Sequence, residues 1–189
     1  PVVHHDDTAG GSRVTSIDGL PAVALGMRPG RESDRLSLAA LHARSRAHAY
    51  AGPLDDRTTG RLGQEALDHW TQWFAGRASR DHLLLVAEAS RGLVGFGLVE
   101  GDERQALLRA LHVDPAWHGR GVGSRLHDGL VRWCGMRTVQ LHVLVDNTAA
   151  REFYGRRGWT DTGERLTHRV GGQELCAARY HLEDRGALS

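Results

Sequence analysis

The chain has 189 residues, enough for one ordinary domain with a real core. Hydrophobic residues make up 40% and charged residues 25%, which excludes a disordered chain. Arginine supplies all 24 basic residues against 23 acidic ones, and a formal net charge of +1 gives no argument for a nucleic-acid surface.

No stretch approaches the roughly 18 apolar residues of a membrane span. The first residues lack the apolar core of a secretory signal, so the cytoplasm is the expected location. Cys134 and Cys176 are far apart and form no CxxC, which argues for reduced thiols and against a metal or redox motif.

Residues 1–20 show no period and little bulk and read as a flexible N-terminal arm. Its His4-His5-Asp6-Asp7 run reads as a solvated tail rather than a metal site. PAVALGMRPG, residues 21–30, predicts a first strand. Residues 31–49 favour a helix, with Ser33 or Asp34 as its cap. AGPLDD breaks the pattern. Leu62, Ala66, Leu67, Trp70, Trp73 and Phe74 then recur at helical spacing and predict a second helix ending near Gly76. The tryptophans read as core anchors.

HLLLVAEA, GLVGFGLVE and QALLRALHV follow, separated by very short connections. A parallel crossover needs a dozen or more residues, so these three are antiparallel neighbours. Val122, Leu126, Leu130, Trp133 and Cys134 mark one face of a helix over 121–136. RTVQLHVLV alternates as a strand. Asn147 caps a short helix through Phe153 and Tyr154 that stops before Gly158. The remainder to residue 183 reads as two strands around Val170-Gly171-Gly172, and 184–189 as a tail. The fold class is therefore a single α/β (α+β) domain over 21–183. A mostly antiparallel central sheet is flanked by about four helices, with one parallel crossover at the helix over 121–136.

WHGRGVGSRL, residues 117–126, places Gly119, Gly121 and Gly123 on alternate positions before a helix. A helix N-terminus offers free N–H groups and partial positive charge, and glycines let an anion approach them. Arg120 adds a charge that suits a phosphate. A P-loop needs a lysine, which the chain lacks. A dinucleotide fingerprint needs a third glycine where Leu126 stands, although Asp146 would suit as its acid.

LHVDPAWHGRGVGSRL resembles the acetyl-coenzyme A motif of the GCN5-related N-acetyltransferase (GNAT) superfamily, [QR]-x-x-G-x-[GA]. Gly121 and Gly123 fill the small positions, and His118 replaces the Arg or Gln. VDNTAAREFYGRRGW resembles the second family motif through Asn147, Ala150, Phe153, Tyr154, Gly158 and Trp159. The resemblance implies acetyl-coenzyme A as co-substrate, no metal, and a coenzyme held on a splayed strand pair. It implies that Leu111, His112 and Val113 pair with the pantetheine arm through their backbone. It implies that His118, Gly119, Arg120, Gly121, Val122, Gly123 and Ser124 surround the pyrophosphate. Asn147, Ala150, Phe153 and Tyr154 would complete the coenzyme site.

Tyr154 stands where the family often places its general acid, and a phenol at the sulfur can protonate a leaving thiolate. The base is not assigned. Leu107 aligns with the glutamate of many relatives, and His112, Glu100, Asp102, Glu103 and His142 are the nearby alternatives. The expected reaction is acetyl transfer to a primary amine of a small molecule. Protein N-terminal or lysine acetylation is the alternative, and a non-catalytic acyl-coenzyme A sensor is the second. Asp55 and Asp56 read as solvated turn residues, with attraction of a cationic amine as the alternative, and Trp70 and Trp73 could border the acceptor cleft. No nucleic acid or membrane partner is expected. Dimers are common in the family, so a homodimer is within expectation.

Overall fold

The computed structural model describes residues 24–49, 56–76, 81–170 and 173–182. In chain order these form β1 (Gly26–Pro29), α1 (Arg35–Ala49), α2 (Asp56–Gly76), β2 (Asp81–Ala89), β3 (Gly92–Gly101) and β4 (Gln105–Val113). Then come α3 (Val122–Cys134), β5 (Thr138–Leu144), α4 (Thr148–Gly155), β6 (Trp159–Val170) and β7 (Gln173–Leu182). The order is the one read from the sequence. The arm at 1–20, the histidine pair at its start, the break with Asp55, the side chain of Asp56 and the tail at 184–189 lie outside the described residues. Among the described residues, no helix is long and apolar enough to cross a membrane.

Two boundaries differ from expectation for local reasons. Among the described residues the first strand covers Gly26–Pro29, and residues 21–23 of the expected 21–30 lie outside them. The first helix is preceded by a 3-10 turn at Glu32–Asp34. Asp34 does not cap α1 forward. Its carboxylate reaches back to accept the Arg31 N–H at 2.8 Å, and it pairs with Arg28 at 2.8 Å. That guanidinium holds the Asp34 carboxyl below the usual carboxylate range. Arg28 also bonds Glu88 of β2 at 2.9 Å, so the turn is fastened to the sheet.

The seven strands form one sheet in the order β1-β2-β3-β4-β5-β7-β6. Every pairing is antiparallel except β4 with β5, which α3 connects. That parallel pairing runs only from Gln105↔Thr138 to Leu108↔Leu141. Beyond it the two strands part. The cause is visible on the other side of β4, where Leu98 faces Ala110 but Val99 faces Leu108. Arg109 is thus an extra residue, a β-bulge, and a bulge bends its strand and steepens its twist. The bulge begins where the pairing to β5 ends, and residues 109–113 diverge from β5.

Each face of the sheet has its own core. On one, Leu38 and Leu41 of α1 and Ala66, Trp70 and Phe74 of α2 pack on Leu84, Val86, Phe96 and Leu98. On the other, Val122 and Leu126 of α3 meet Ala87, Ala89 and Val94, while Leu130, Val131 and Cys134 meet Val99, Leu108, Leu141 and Val143. Burying each such leucine contributes about 2 kcal/mol. The alternation in GLVGFGLVE explains the close seat of α3. A Cβ on Gly95 would stand 2.9 Å from Leu126, and one on Gly97 would collide with Leu130. Phe96 and Leu98 point to the opposite core.

Candidate functional site

The parting of β4 and β5 opens a cavity of about 930 Å3. Its wall contains Leu111, His112, Val113, His118, Gly119, Gly121, Val122, Gly123, Ser124, Asn147, Ala150, Phe153 and Tyr154. Of the residues singled out from the sequence for the coenzyme, Arg120 alone is not on the wall. Its guanidinium lies over the Trp117 ring, 5.3 Å from the centroid, on the exposed side of the turn. The chain turns there because Asp114 accepts the Ala116 N–H at 3.1 Å and Pro115 starts a 3-10 turn.

Gly119 and Gly121 have φ of +73° and +77°, and nothing lies within 4 Å of where a Cβ would stand on either. This is the left-handed region that glycine enters without penalty. Gly121 is the residue before α3 and makes no side-chain cap, so the first amides of α3 carry no side-chain cap from it. Gly123 differs. Its φ is ordinary, and a Cβ would meet Phe153 and Val113 at 3.6 Å. The His118 ring does not project from the comb toward a ligand. Nε2 lies 3.1 Å from the Val113 carbonyl, and since a carbonyl only accepts, that nitrogen carries the proton.

On the facing side, Asn147 accepts the Ala150 N–H at 3.0 Å through Oδ1, the cap expected from sequence. α4 then brings Phe153 and Tyr154 to the cavity. Tyr154 is buried in the core cluster, with its ring 5.3 Å from Phe153 and 5.8 Å from Trp159. A buried histidine behind them fixes the spacing of α3, α4 and β6. His127 Nε2 accepts the Trp159 indole N–H at 2.9 Å, and Nδ1 is 2.8 Å from Asp128. Burial pushes the His127 imidazole below its ordinary value, and an indole can only donate. The ring is therefore neutral with its proton on Nδ1.

The cavity has basic groups that the sequence reading did not single out. Arg157 donates to Ser124 Oγ at 2.5 Å and to the Phe153 carbonyl at 3.1 Å, with its guanidinium 3.7 Å from the Phe153 centroid. It joins the comb to α4 across 33 residues of sequence. The one available signal was its place one turn after Phe153.

The five candidates for a base fare differently. His112 is stacked on Phe96, 5.2 Å between centroids, and its Nδ1 is 3.0 Å from Ser45 Oγ. Desolvation, with Arg46 and His69 nearby, lowers its pKa to about 3, which makes it a poor base. Glu100 accepts the Trp73 indole N–H at 2.9 Å and lies 3.5 Å from Arg109. Asp102 accepts the N–H groups of Arg104 and Gln105, both at 2.8 Å, and organises the β3–β4 turn. Glu103 is exposed in that turn. His142 lies on the cavity wall beside His168 of β6. Neither tryptophan is on that wall: Trp70 is fully buried in the α1–α2 core, and Trp73 is half-buried. Cys134 is buried and Cys176 exposed, both as free thiols. Among the described residues, no group of three His, Cys, Asp or Glu is arranged to hold a metal.

Known proteins share both the sequence pattern and the fold. A 78-residue segment is 35% identical to the N-alpha-acetyltransferase RimI of Mycobacterium tuberculosis, covering 41% of this chain and 49% of that protein. A GCN5-related N-acetyltransferase from Rhodopseudomonas palustris superposes with a TM-score of 0.68 at 24% identity, over 87% of this chain and 99% of that one. The PaiA N-acetyltransferase of Thermoplasma acidophilum, solved with coenzyme A, superposes with a TM-score of 0.64 at 19% identity, over 82% and 98%. At such identities the two structures establish a common fold. The chain spans less than half the length of the first curated relatives it matches. The acetyltransferase (GNAT) family profile matches residues 48–159, a range that holds the splayed strands β4 and β5, the glycine comb and the α4 motif. With that match over more than half of its length, the chain belongs to the GNAT acetyltransferase family.

Proposed function

We propose that the protein transfers an acetyl group from acetyl-coenzyme A to a primary amine of a small molecule, by direct attack in a ternary complex. The observation that carries this is the end of β4–β5 pairing at Leu108↔Leu141, which opens a cavity lined by both the glycine comb and Tyr154. Backbone groups of Leu111, His112 and Val113 would pair with the pantetheine arm as an added strand does. The amides from Gly119 to Ser124 suit the pyrophosphate, with the start of α3 as its positive end. His118 would contribute through its tie to Val113, and Arg157, at Ser124, takes the charged part first expected of Arg120. Asn147 would hold the coenzyme through its NH2 group, and Ala150 and Phe153 through apolar contact.

The thioester supplies an activated acyl carbon. An N–H of β4 near Val113 would polarise its carbonyl. Tyr154 would donate its phenolic proton to the departing sulfur. Tyr154→Phe should lower kcat by at least about tenfold while coenzyme still binds, read by thiol release and by calorimetry. An unchanged kcat removes the acid role.

The small-molecule acceptor is favoured by the β6–β7 hairpin. Leu62 of α2 packs with Leu175 of β7 and with Ala43 and Ala47 of α1, so the hairpin reaches across to the helices. A peptide acceptor wants an open groove. A protein N-terminus is the second reading, motivated by the similarity to RimI. A thiol-release panel of small amines and of peptides separates them. Coenzyme binding with no turnover on either panel would favour a sensor.

A further inference from the structure

Acetyl transfer to an amine also requires a group that takes a proton from the acceptor. At neutral pH the acceptor arrives as an ammonium and must lose a proton before it can attack. Among the described residues, the cavity wall holds one carboxylate, Asp146, next to Asn147 at the coenzyme side. It holds five histidines, His48, His112, His118, His142 and His168. His112 is too weakly basic, and His118 is tied to Val113. His142 and His168 form a pair of their own. His142 Nδ1 and His168 Nε2 are 3.3 Å apart, with ring centroids separated by 5.4 Å and planes at 79°. Two neutral imidazoles at that distance share one hydrogen, which one ring donates and the other accepts.

The pair sits where an acceptor would pass. His142 is on β5 just beyond Leu141, the last residue paired with β4, so its ring stands at the mouth of the parting. It lines both the main cavity and a smaller pocket of about 260 Å3 formed with Glu100, Leu107, Gln140 and Arg179. His168 is on the hairpin and exposed, with a path to solvent. The element arrangement is what brings them together: β7 separates β5 from β6, and across it His168 still reaches His142.

Resting on the acetyl-transfer reading, we propose that the His142–His168 pair is the base of the reaction, His142 taking the proton from the acceptor ammonium and His168 positioning it. In this step the ammonium N–H breaks and the proton goes to His142 Nε2. The freed nitrogen lone pair forms the bond to the acetyl carbon, and the C–S bond breaks with its electron pair on sulfur, which Tyr154 protonates. His142 Nδ1–H donates to His168 Nε2 throughout, so the new imidazolium is held by an acceptor. One further proton, lost by the acylated nitrogen, restores the Tyr154 phenol. The proton on His142 leaves to solvent past His168. Atoms and charge balance: ammonium and thioester become amide, thiol and one released proton.

The surroundings keep the pair neutral in the resting enzyme. Burial lowers His142 below the ordinary imidazole value, as do the neighbouring His168, Arg179 of β7 and Arg109 of β4, while Glu164 of β6 opposes them. Partial desolvation of its ring and Arg109 lower His168 too, although the residue as a whole is exposed. Arg179 is paired with Glu164 at 2.8 Å, and Arg109 lies 3.5 Å from Glu100, which moderates both cations. The other titratable groups on the cavity wall are His48, His112, His118, Asp146 and Tyr154, with the cations Arg156 and Arg157. A neutral pair can accept a proton at pH 7, and it loses that capacity as pH falls through its own midpoint.

The test is a pH–rate profile with an accepted amine. Wild-type kcat/KM should fall on the acid side through an ionisation below about 6.5, the ordinary imidazole value. His142→Gln should lower kcat/KM at pH 7 by about 100-fold, the usual scale for one general base. Its residual rate should rise tenfold per pH unit, following the neutral amine. His168→Gln, whose amide can replace Nε2 as an acceptor, should keep more activity than His168→Ala and shift the acid limb. Coenzyme affinity should be unchanged in all three. A His142→Gln enzyme with the wild-type rate and acid limb overturns the base assignment and leaves acetyl transfer standing. Should no amine be turned over, the acetyl-transfer reading fails instead. The pair is then judged by ring-nitrogen NMR, in which two rings sharing one proton titrate together and independent midpoints overturn it.

Discussion

Gly121 and Gly123 fill equivalent places in the motif, yet they obey different constraints. Gly121 is needed for its φ of +77°, and a side chain there costs about 1–2 kcal/mol. Gly123 has ordinary backbone and room for a methyl against Phe153 and Val113. Gly121→Ala should therefore lower unfolding free energy by about 1–2 kcal/mol, whereas Gly123→Ala should fold at least as stably as wild type. Urea titration of both variants checks this, and equal losses would remove the distinction. The motif spelled out two small residues in sequence, but their separate reasons needed the backbone angles. His118 shows the same limit. The sequence marked it as a departure from Arg or Gln, and only the structure shows its ring turned back to the Val113 carbonyl. Arg157 was not singled out at all, because 33 residues separate it from Ser124 and charge alone says little where every basic residue is arginine.

At the scale of elements, α3 and β6 are joined through one buried polar contact, His127 to Trp159. Replacing His127 with leucine leaves the indole N–H buried without its acceptor, a loss of about 1–3 kcal/mol. Pairing His127→Leu with Trp159→Phe should recover part of that loss, because no donor is then stranded. Additive losses in the double variant would show that the bond matters little. The elements themselves were legible: periodicity located α2 and α3 with their apolar faces, cap residues marked α1 and α4, and short connections fixed the antiparallel meander. Their ends were less so. Asp34 has the composition of a helix cap, but Arg28, six residues earlier on β1, holds its carboxylate facing backwards. The bulge at Arg109 leaves no mark in QALLRALHV, since it is set by how β3 and β4 pair.

Over the whole molecule, buried histidines make stability depend on pH. Burial pushes His42 and His127 down, and His112 to about 3. The folded values lie below those of the unfolded chain, so the unfolded chain binds protons first. Stability is therefore complete above about pH 6.5 and falls as pH drops, by up to about 1.4 kcal/mol per pH unit for each ring. For His112 the loss continues to about pH 3. Urea unfolding at pH 7, 6 and 5 should show this decline, and His112→Asn should flatten it by about one proton. Stability that does not change over that range would contradict the burial of these rings.

Local properties of the chain were enough to establish the family. Hydrophobic period, connection length, a glycine comb at a helix start and an Asn-capped helix ending in Phe-Tyr are all short-range, and each is written in consecutive residues. The site's chemistry depends on distances between residues far apart in sequence, and these the tertiary structure decided. The parting of β4 from β5, the bridge from Arg157 to Ser124 and the meeting of His142 with His168 all arise when strands are ordered in the sheet. Neighbours in space are then set by pairing and twist, which no window of sequence contains.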